Sequence, residues 1–302
     1  MIQFRGCYTA IVTPFTADGI AVDEARLAEQ IAFQAEGGVS GIVACGTTGE
    51  SPTLEDDEHR LVVETAVEIG RKRGLQVIAG AGSNSTRHAV ELQKLAFDLG
   101  ADAGLQVSPY YNKPSQEGLY RHFMTVADSC PLPVMLYNIP GRCGVAINPD
   151  TVARLAKHPN IVAIKEATGS MDSASEIRQR CGITILSGDD SLTLPFAACG
   201  SAGVVSVVSN LWPARVQALV EACNRNDFDS ARATHEQLLP LGKGLLSLDV
   251  NPVPLKAAMK LLGRDSGAVR LPLAAASRET VDRIAEILAQ SSLTRLESVA
   301  RA

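Results

Sequence analysis

Short apolar runs alternate with helical patterns from the start of the chain to about residue 208. The runs are nearly continuous in Val, Ile, Leu and Ala, which is typical of parallel strands covered on both faces. There are about eight such steps, the number found in a (β/α)₈ TIM barrel. The predicted strands are Tyr8–Thr13, Gly41–Cys45, Gln76–Ala79, Ala103–Val107, Pro133–Tyr137, Ile161–Lys165, Ile183–Leu186 and Gly203–Val208.

A doubly wound open sheet shares this alternation and is the competing α/β architecture. A dinucleotide-binding sheet of that kind carries Gly-x-Gly-x-x-Gly after its first strand. The nearest pattern here, Gly80-Ala81-Gly82, lacks the third glycine. No lysine is followed by serine or threonine, so a phosphate-binding P-loop is excluded. We therefore predict the barrel.

The pattern changes near residue 210, beyond which only helical segments follow. Helices with no strands between them do not extend the barrel, so we expect them to form a C-terminal α-helical appendix. We predict residues 1–210 as the (β/α)₈ barrel and residues 211–302 as the helical region. The predicted helices of this region are Pro213–Asn224, Asp227–Leu241, Pro254–Leu262 and Glu279–Gln290.

Charge and hydropathy exclude several kinds of partner. A net charge of −5 and a pI near 5.6 argue against nucleic acid. No apolar stretch is long enough to span a bilayer, and the first residues lack the apolar core of a signal peptide. The seven cysteines are scattered and never spaced Cys-x-x-Cys. We therefore expect a reduced, cytoplasmic protein without a membrane partner.

A metal site is not expected either. The five histidines do not pair at helical spacing and none follows a predicted strand, so we predict that most are solvated helix positions. The acidic cluster Asp56-Asp57-Glu58 beside His59 resembles a set of metal ligands. It falls in the first turn of a predicted helix, where acidic side chains complement the helix dipole.

One predicted strand, Ile161–Lys165, ends on a lysine and is followed by Glu166 and the turn signal Thr168-Gly169. A lysine at the end of a fully buried strand is unusual, because removing an ammonium group from water is costly. The same desolvation makes a lysine amine nucleophilic near neutral pH, as a Schiff base with a carbonyl requires. From this stretch alone, a partly exposed Lys165 paired with Glu166 is the favoured interpretation.

Polar residues follow the other strands in positions that a barrel brings together. The segments after the carboxyl ends of the strands converge on one face, which holds the active site of such barrels. This gathering of hydroxyl groups, one arginine and one lysine favours a nucleophilic role for Lys165. The residues concerned are Thr47, Thr48, Ser51, Tyr110, Tyr111, Tyr137, Arg142, Lys165, Asp189, Asp190, Ser209 and Asn210.

Several of these groups have a use beside an amine that forms a Schiff base. Protons must move to and from the carbinolamine, and Tyr137 is placed to move them, with a threonine of the second loop and Tyr111 as a relay. An isolated strand-end tyrosine is otherwise a packed side chain with one hydrogen bond. Backbone N–H groups of the Gly46–Gly49 turn offer an anion site for a carboxylate. Arg142 either holds a second carboxylate through two hydrogen bonds or forms a surface salt bridge.

Five motifs, in order along the chain, resemble the dihydrodipicolinate synthase family. The resemblance runs from about residue 6 to residue 290, and the set is specific although each motif alone is weak. It implies a class I, metal-free enzyme that condenses pyruvate with L-aspartate-4-semialdehyde in the diaminopimelate route to lysine. The motifs are Gly-Thr-Thr-Gly-Glu at Gly46–Glu50, Pro-Tyr-Tyr-Asn at Pro109–Asn112, Tyr-Asn-Ile-Pro-Gly-Arg at Tyr137–Arg142, Ile-Lys-Glu-Ala-Thr-Gly at Ile164–Gly169 and Ser-Gly-Asp-Asp at Ser187–Asp190.

The resemblance implies which residues perform the chemistry. Lys165 would form the Schiff base with pyruvate, so that no separate cofactor is needed. Tyr137, Thr47 and Tyr111 would be the proton relay, with Tyr111 reaching the site of a neighbouring subunit. The family further implies a homotetramer built as a pair of tight dimers.

The resemblance also implies which residues bind the two substrates. Thr48 would hold the carboxylate of pyruvate, and the backbone of Gly188 and Val205 would lie beside it. Arg142 would bind the carboxylate of the second substrate. Cys143 stands where the family usually carries threonine, and we expect little effect on the chemistry.

Two other functions are compatible with parts of this pattern. Aldolases of 2-keto-3-deoxy sugar acids and N-acetylneuraminate lyases share the barrel, the lysine and the tyrosine, but Thr47, Thr48 and Arg142 look like the synthase pattern. A non-catalytic sensor of 2-oxo acids would keep the pocket alone, and the intact nucleophile, relay and arginine argue against it.

The resemblance does not predict inhibition by lysine. Asp56 stands where lysine-sensitive members carry a histidine, and His88 stands where they carry a glutamate. The glutamate would be the acidic partner of the effector's ammonium group, and its loss removes the basis for predicting regulation. The positions that resemble the effector pocket are Ser51, Pro52, Asp56, His59, Asn84, His88 and Tyr110.

Overall fold

Eight parallel strands form a closed barrel in which each strand pairs with its neighbours in chain order. The computed structural model describes residues 3–291 and Leu293. The strands are β1 (Gly6–Ala10), β2 (Gly41–Ala44), β3 (Gln76–Gly80), β4 (Ala103–Val107), β5 (Val134–Asn138), β6 (Ile161–Glu166), β7 (Thr184–Ser187) and β8 (Gly203–Ser206). The barrel closes between β1 and β8, where Cys7 lies opposite Val204. The predicted (β/α)₈ barrel is confirmed.

Helices pack on the outside of the barrel and continue past its last strand. The side chains of Ser85, Ser115 and Ser170 accept hydrogen bonds from the first turns of the helices that follow them, so these helices begin where capping residues permit. The helices are α1 (Glu24–Glu36), α2 (Asp56–Lys72), α3 (Thr86–Asp98), α4 (Gln116–Asp128), α5 (Pro140–Cys143), α6 (Pro149–Leu155), α7 (Met171–Arg180), α8 (Thr193–Ala198), α9 (Pro213–Asn224), α10 (Phe228–Leu239), α11 (Val253–Leu261) and α12 (Arg278–Gln290).

The inside of the barrel is filled by alternate residues of the strands. Met135 and Tyr137 of β5 and Ala163 of β6 belong to one buried interior cluster. Lys165 stands two residues after Ala163 on the same strand, so its side chain points into the barrel as well. The alternation along β6 therefore decides which side of the barrel wall the lysine occupies.

Two barrel strands differ from the prediction by more than one residue at an end. The first strand is Gly6–Ala10 rather than Tyr8–Thr13, because the backbone N–H group of Val12 donates to the side-chain oxygen of Asn210 at 3.2 Å instead of continuing the ladder. The last strand ends at Ser206 and continues into a 3₁₀ turn. Helix α5 was not predicted, because four residues are too few to show a period.

The C-terminal helical appendix is confirmed, and it begins directly after the barrel. Helix α9 packs against β1 and α10, and α11 packs against α12. Helix α10 runs into a π-helical turn at Pro240–Leu245. The division of the chain at residue 210 stays a prediction, and residues 1–2, 292 and 294–302 of the two predicted regions lie outside the described residues. Every helix in the described part of the chain falls short of the length and apolarity needed to cross a bilayer.

Candidate active site

Lys165 and Tyr137 lie side by side inside the carboxyl end of the barrel. They are paired in register on the neighbouring strands β6 and β5, so both side chains point inwards. Lys165 is 5% exposed and Tyr137 is 4% exposed, and the Lys165 Nζ atom lies 4.1 Å from the centre of the Tyr137 ring. The interpretation of Lys165 as a partly exposed residue is therefore wrong.

Glu166 points to the other face of the same strand. Its carboxylate accepts hydrogen bonds from the side-chain amide of Asn138 and from the N–H group of Thr168, both at 3.0 Å. Burial raises the pKa of Glu166, and these hydrogen bonds lower it in part. The carboxylate fixes the turn after β6, and the expected pairing of Lys165 with Glu166 is also wrong.

Asp189, in the loop after β7, lies close enough to Lys165 for the two charges to interact. Burial raises the pKa of Asp189, and the positive charge of Lys165 lowers it in part. The next residue, Asp190, instead accepts hydrogen bonds from the N–H groups of Val207 at 2.8 Å and Val208 at 3.2 Å. Asp190 thus ties the loop to the end of β8, whereas Asp189 remains beside the lysine, a position to which sequence analysis assigned no role.

Gly188 and Val205 lie at the ends of β7 and β8. The N–H group of Gly188 donates to the backbone oxygen of Glu166 at 2.8 Å, and a Cβ atom at this position would lie 2.5 Å from the Cβ atom of Ala167. Only glycine lets the chain pass so close to the end of β6. Val205 is fully buried in the same interior cluster as Tyr137. Gly188 therefore lies beside the end of β6, and Val205 lies in the barrel interior with Tyr137.

The turn after β2 carries two threonines at its tip. It is closed by two backbone hydrogen bonds of 3.1 Å, in which the N–H groups of Gly49 and Glu50 donate. Thr48 is buried, and its hydroxyl oxygen accepts a hydrogen bond from the side-chain amide of Asn251 at 3.0 Å, whereas Thr47 is partly exposed. Because the N–H group of Gly49 is used inside the turn, the anion site predicted here is reduced to the tip of the turn.

Arg142, on the short helix α5, is exposed at the rim of the barrel. Its Nη2 atom donates to the backbone oxygen of Asn251 at 3.3 Å. Arg142 takes part in none of the salt bridges formed among residues 3–291. The interpretation as a surface salt bridge is therefore wrong for the described part of the chain, and the guanidinium group can receive a carboxylate.

Tyr111 is a predicted catalytic residue that the single chain does not bring to Lys165 and Tyr137. Its side chain is 89% exposed and its backbone has a φ of 74°, in the left-handed region that non-glycine residues rarely adopt. So exposed a ring packs against neither Tyr137 nor Lys165 of its own chain. A phenol ring held outwards in this way is suited to contact another molecule.

Sequence analysis missed the contribution of the C-terminal region to this site. Asn251 contacts Thr48 through its side chain and Arg142 through its backbone oxygen. Lys256, on α11, forms a buried salt bridge with Glu50 at the end of the Thr47–Thr48 turn. A lysine within an apolar helix indicates a buried charge that needs a partner. That partner lies 206 residues away, and no local sequence pattern connects the two residues.

Two of the five histidines are buried, so the prediction of solvated positions is wrong for His59 and His122. The Nε2 atom of His59 lies 2.8 Å from the backbone oxygen of Gly80. Burial lowers the pKa of both side chains, that of His122 to about 4. Over the described residues, no three His, Cys, Asp or Glu side chains are grouped so that they could hold a metal ion.

Comparisons with known proteins agree on one family. The Dihydrodipicolinate synthetase family model matches residues 3–291. A relative from Geotalea daltonii, named 4-hydroxy-tetrahydrodipicolinate synthase, is 51% identical over 96% of this chain and 100% of its own length.

Two solved structures share the fold over nearly the whole chain. The chloride-inhibited dihydrodipicolinate synthase from Acinetobacter baumannii, complexed with pyruvate, has a TM-score of 0.93 and 38% identity, and the match covers 96% of this chain and 100% of that one. A dihydrodipicolinate synthase variant described as monomeric has a TM-score of 0.92 and 39% identity, covering 96% and 97%. The chain is thus a (β/α)₈-barrel lyase. It belongs to the dihydrodipicolinate synthetase family, as its motifs predicted.

Proposed function

We propose that the chain catalyses the reaction for which its relatives are named, the condensation of pyruvate with L-aspartate-4-semialdehyde in the diaminopimelate route to lysine. The observation that carries the proposal is Lys165, buried inside the carboxyl end of the barrel against the ring of Tyr137. A desolvated amine beside a phenol is what a Schiff-base nucleophile needs. The identity of about half of all positions to a named synthase supports the same reaction.

The chemistry begins at the amine of Lys165. Deprotonated, it attacks the C2 carbonyl carbon of pyruvate, whose oxygen takes a proton to give a carbinolamine, and loss of water gives the Schiff base. Loss of a C3 proton then gives an enamine, whose carbon attacks the aldehyde carbon of the second substrate. The amino group of that substrate finally attacks C2 and displaces Lys165. The covalent link takes the place of a separate cofactor.

The proton transfers are assigned to Tyr137, Thr47 and Tyr111. Tyr137 is buried beside the amine, and Thr47 lies at the partly exposed tip of the turn after β2. The exposure of Tyr111 supports a role in the site of a second copy of the chain rather than in its own. A relay of hydroxyl groups beside an amine lowers the free-energy barriers to forming and breaking down the carbinolamine.

The two substrates are assigned to adjoining parts of the site. Thr48 and the backbone beside Gly188 and Val205 would receive pyruvate next to Lys165. Arg142 would bind the carboxylate of the semialdehyde at the rim, where its guanidinium group is exposed. The exposed position of Arg142 suits a reaction in which pyruvate binds first and is covered by the second substrate.

We further propose that the protein is a homotetramer, built as a dimer of dimers. We place it in a reducing cytoplasm, since all seven cysteines are free thiols. The exposed Tyr111 supports a tight dimer, although one synthase variant of the same fold is described as monomeric. Light scattering of the purified protein measures the mass in solution. A tetramer is expected, and a fully active monomer would remove Tyr111 from the relay.

Side-by-side assays test the proposed reaction. Condensation of pyruvate with L-aspartate-4-semialdehyde is compared with cleavage of 2-keto-3-deoxy sugar acids and of N-acetylneuraminate, with and without added lysine. The account predicts turnover in the first assay and little in the others. Equal or faster turnover of a sugar acid would overturn the choice of substrate, and pyruvate binding without any turnover would identify a sensor.

A further inference from the structure

A buried ion pair lies behind the turn that carries Thr47 and Thr48. The side chains of Lys256 and Glu50 are 0% and 1% exposed, and the Lys256 Nζ atom lies 2.5 Å from a carboxylate oxygen of Glu50. The same ammonium group donates to the backbone oxygen of Ala268 at 2.9 Å and lies 4.1 Å from the centre of the Phe15 ring. Both side chains of the pair are therefore shielded from water.

The second carboxylate oxygen of Glu50 is also held by the C-terminal region. It accepts a hydrogen bond from the N–H group of Arg270 at 3.1 Å. Glu50 itself has a φ of 54°, a left-handed conformation that costs energy for a side chain of this kind. All the partners of the Glu50 carboxylate thus come from residues 256–270, although Glu50 belongs to the turn after β2.

Stability alone is a poor reason for such a pair. Removing two charges from water costs several kcal/mol per ion, and a well-packed apolar pair of equal volume is often as stable or more so. Burial lowers the pKa of Lys256, and the charge of Glu50 raises it in part, so Lys256 depends on Glu50 to remain charged. What the pair does provide is specificity, because any arrangement that separates the two segments leaves an uncompensated buried charge.

The segment that this ion pair holds in place is the Thr47–Thr48 turn. Glu50 lies two residues after Thr48, and Asn251, five residues before Lys256, donates to the Thr48 hydroxyl oxygen. The C-terminal region therefore holds the turn at two points. We propose that Lys256 is a positioning residue for the active site, which through Glu50 sets the two threonines against the substrate bound to Lys165. This inference rests on the proposed function for the identity of that substrate.

The double variant Glu50→Gln/Lys256→Met tests the inference, because it removes both charges while keeping the side-chain volumes. We expect its melting temperature to lie close to that of the parent protein. We expect kcat/KM for pyruvate to fall by about 10- to 100-fold, since a displacement of about 1 Å in a positioning group is enough for such a loss. Borohydride trapping should still place pyruvate on Lys165, but at a slower rate.

A matched control is the neighbouring ion pair between Arg270 and Glu58, whose cation lies 4.2 Å from the same Phe15 ring. Glu58→Gln breaks this pair but leaves the Lys256–Glu50 contact and the backbone hydrogen bond from Arg270 to Glu50 in place, and its kcat/KM for pyruvate should equal that of the parent. A double variant with parental kcat/KM would overturn the role of Lys256. Should the double variant not fold, Glu50→Gln decides instead: a several-fold loss supports the inference and an unchanged kcat/KM overturns it.

The parent protein is trapped with pyruvate and borohydride in the same series. A parent that forms no adduct rejects the proposed function. A parent that forms the adduct, together with a fully active double variant, rejects the positioning role of Lys256 alone.

Discussion

The protein buries two lysines near the mouth of its barrel, and they differ in what surrounds them. Lys165 is 5% exposed and Lys256 is fully buried, and each ammonium group lies 4.1 Å from the centre of an aromatic ring. Lys256 is held at 2.5 Å by the carboxylate of Glu50. Lys165 takes part in no salt bridge with any of residues 3–291. Although both lysines are buried, Lys256 is held in a salt bridge, whereas the amine of Lys165 remains available for reaction.

The difference teaches that the partner, rather than burial, decides the use of a buried lysine. A close carboxylate keeps the ammonium form and blocks the nitrogen lone pair from attacking a carbonyl. The positive charge of Lys165 lowers the pKa of Asp189, but these two residues form no salt bridge. The structure thus assigns anchoring to Lys256 and makes Lys165 the nucleophile of our proposal.

The largest effect is expected from Lys165→Met, which removes the amine and keeps the volume. Turnover should fall on the order of 10⁴-fold or more, as when the central group of a catalytic unit is removed. The free energy of unfolding should stay the same or rise, because a buried amine outside any salt bridge is replaced by an apolar side chain of similar volume. Steady-state kinetics and chemical denaturation of the same sample measure both. Retained turnover would remove Lys165 from the chemistry.

Unlike Lys165→Met, the variant Lys256→Met should have its main effect on stability. Glu50 would remain buried without its partner, and the free energy of unfolding should fall by about 3–5 kcal/mol. Chemical denaturation measures this loss, and the double variant with Glu50→Gln is the control in which most of it should return. A single variant as stable as the parent would mean that Glu50 finds another partner.

Arg142→Gln probes the rim, where a charged side chain is exposed rather than buried. Loss of a charge-assisted contact of about 1.5–3 kcal/mol should raise KM for the semialdehyde roughly 10- to 100-fold. Trapping of pyruvate on Lys165 should not change, because that step precedes the contact. Arg142→Lys keeps the charge but loses the planar guanidinium group. Its KM for the semialdehyde should lie between those of the parent and of Arg142→Gln. An unchanged KM would exclude Arg142 from substrate binding.

The smallest effect is expected from Glu58→Gln, which replaces the carboxylate of a pair whose side chains are 15% and 17% exposed. The hydrogen bond from Arg270 lowers the pKa of Glu58, so the pair stabilises the protein above the ordinary glutamate pKa of about 4.3 and loses this effect as the pH falls. At neutral pH the variant should lose about 1 kcal/mol of unfolding free energy, because glutamine keeps a neutral hydrogen bond to Arg270 in place of a charge-assisted one. The difference should shrink in acid denaturation curves. A difference that grows in acid would contradict this sign.

The sequence was sufficient for the barrel and for one of the two lysines. Period and composition revealed the strands, and counting them put Lys165 at a carboxyl end. The direction of its side chain followed only from pairing, since Tyr137 and Lys165 are in register on adjacent strands. The local expectation, a partly exposed lysine beside Glu166, failed because it ignored which face of β6 each residue occupies.

The second lysine could not be found in this way. Its partner Glu50 lies 206 residues earlier, and the contact depends on how α11 packs over the barrel mouth. The same holds for Asn251, which joins Thr48 to Arg142 from outside the β-α alternation. Contacts between distant segments are set by tertiary packing, which period and propensity do not encode.

The most direct test of the contrast between the two lysines is reductive trapping. The protein is incubated with pyruvate, treated with borohydride, digested, and its peptides are mapped by mass spectrometry. We predict one reduced pyruvate on the peptide that contains Lys165 and none on the peptide that contains Lys256. An adduct on Lys256, or a protein that turns over pyruvate without any adduct on Lys165, would contradict the account.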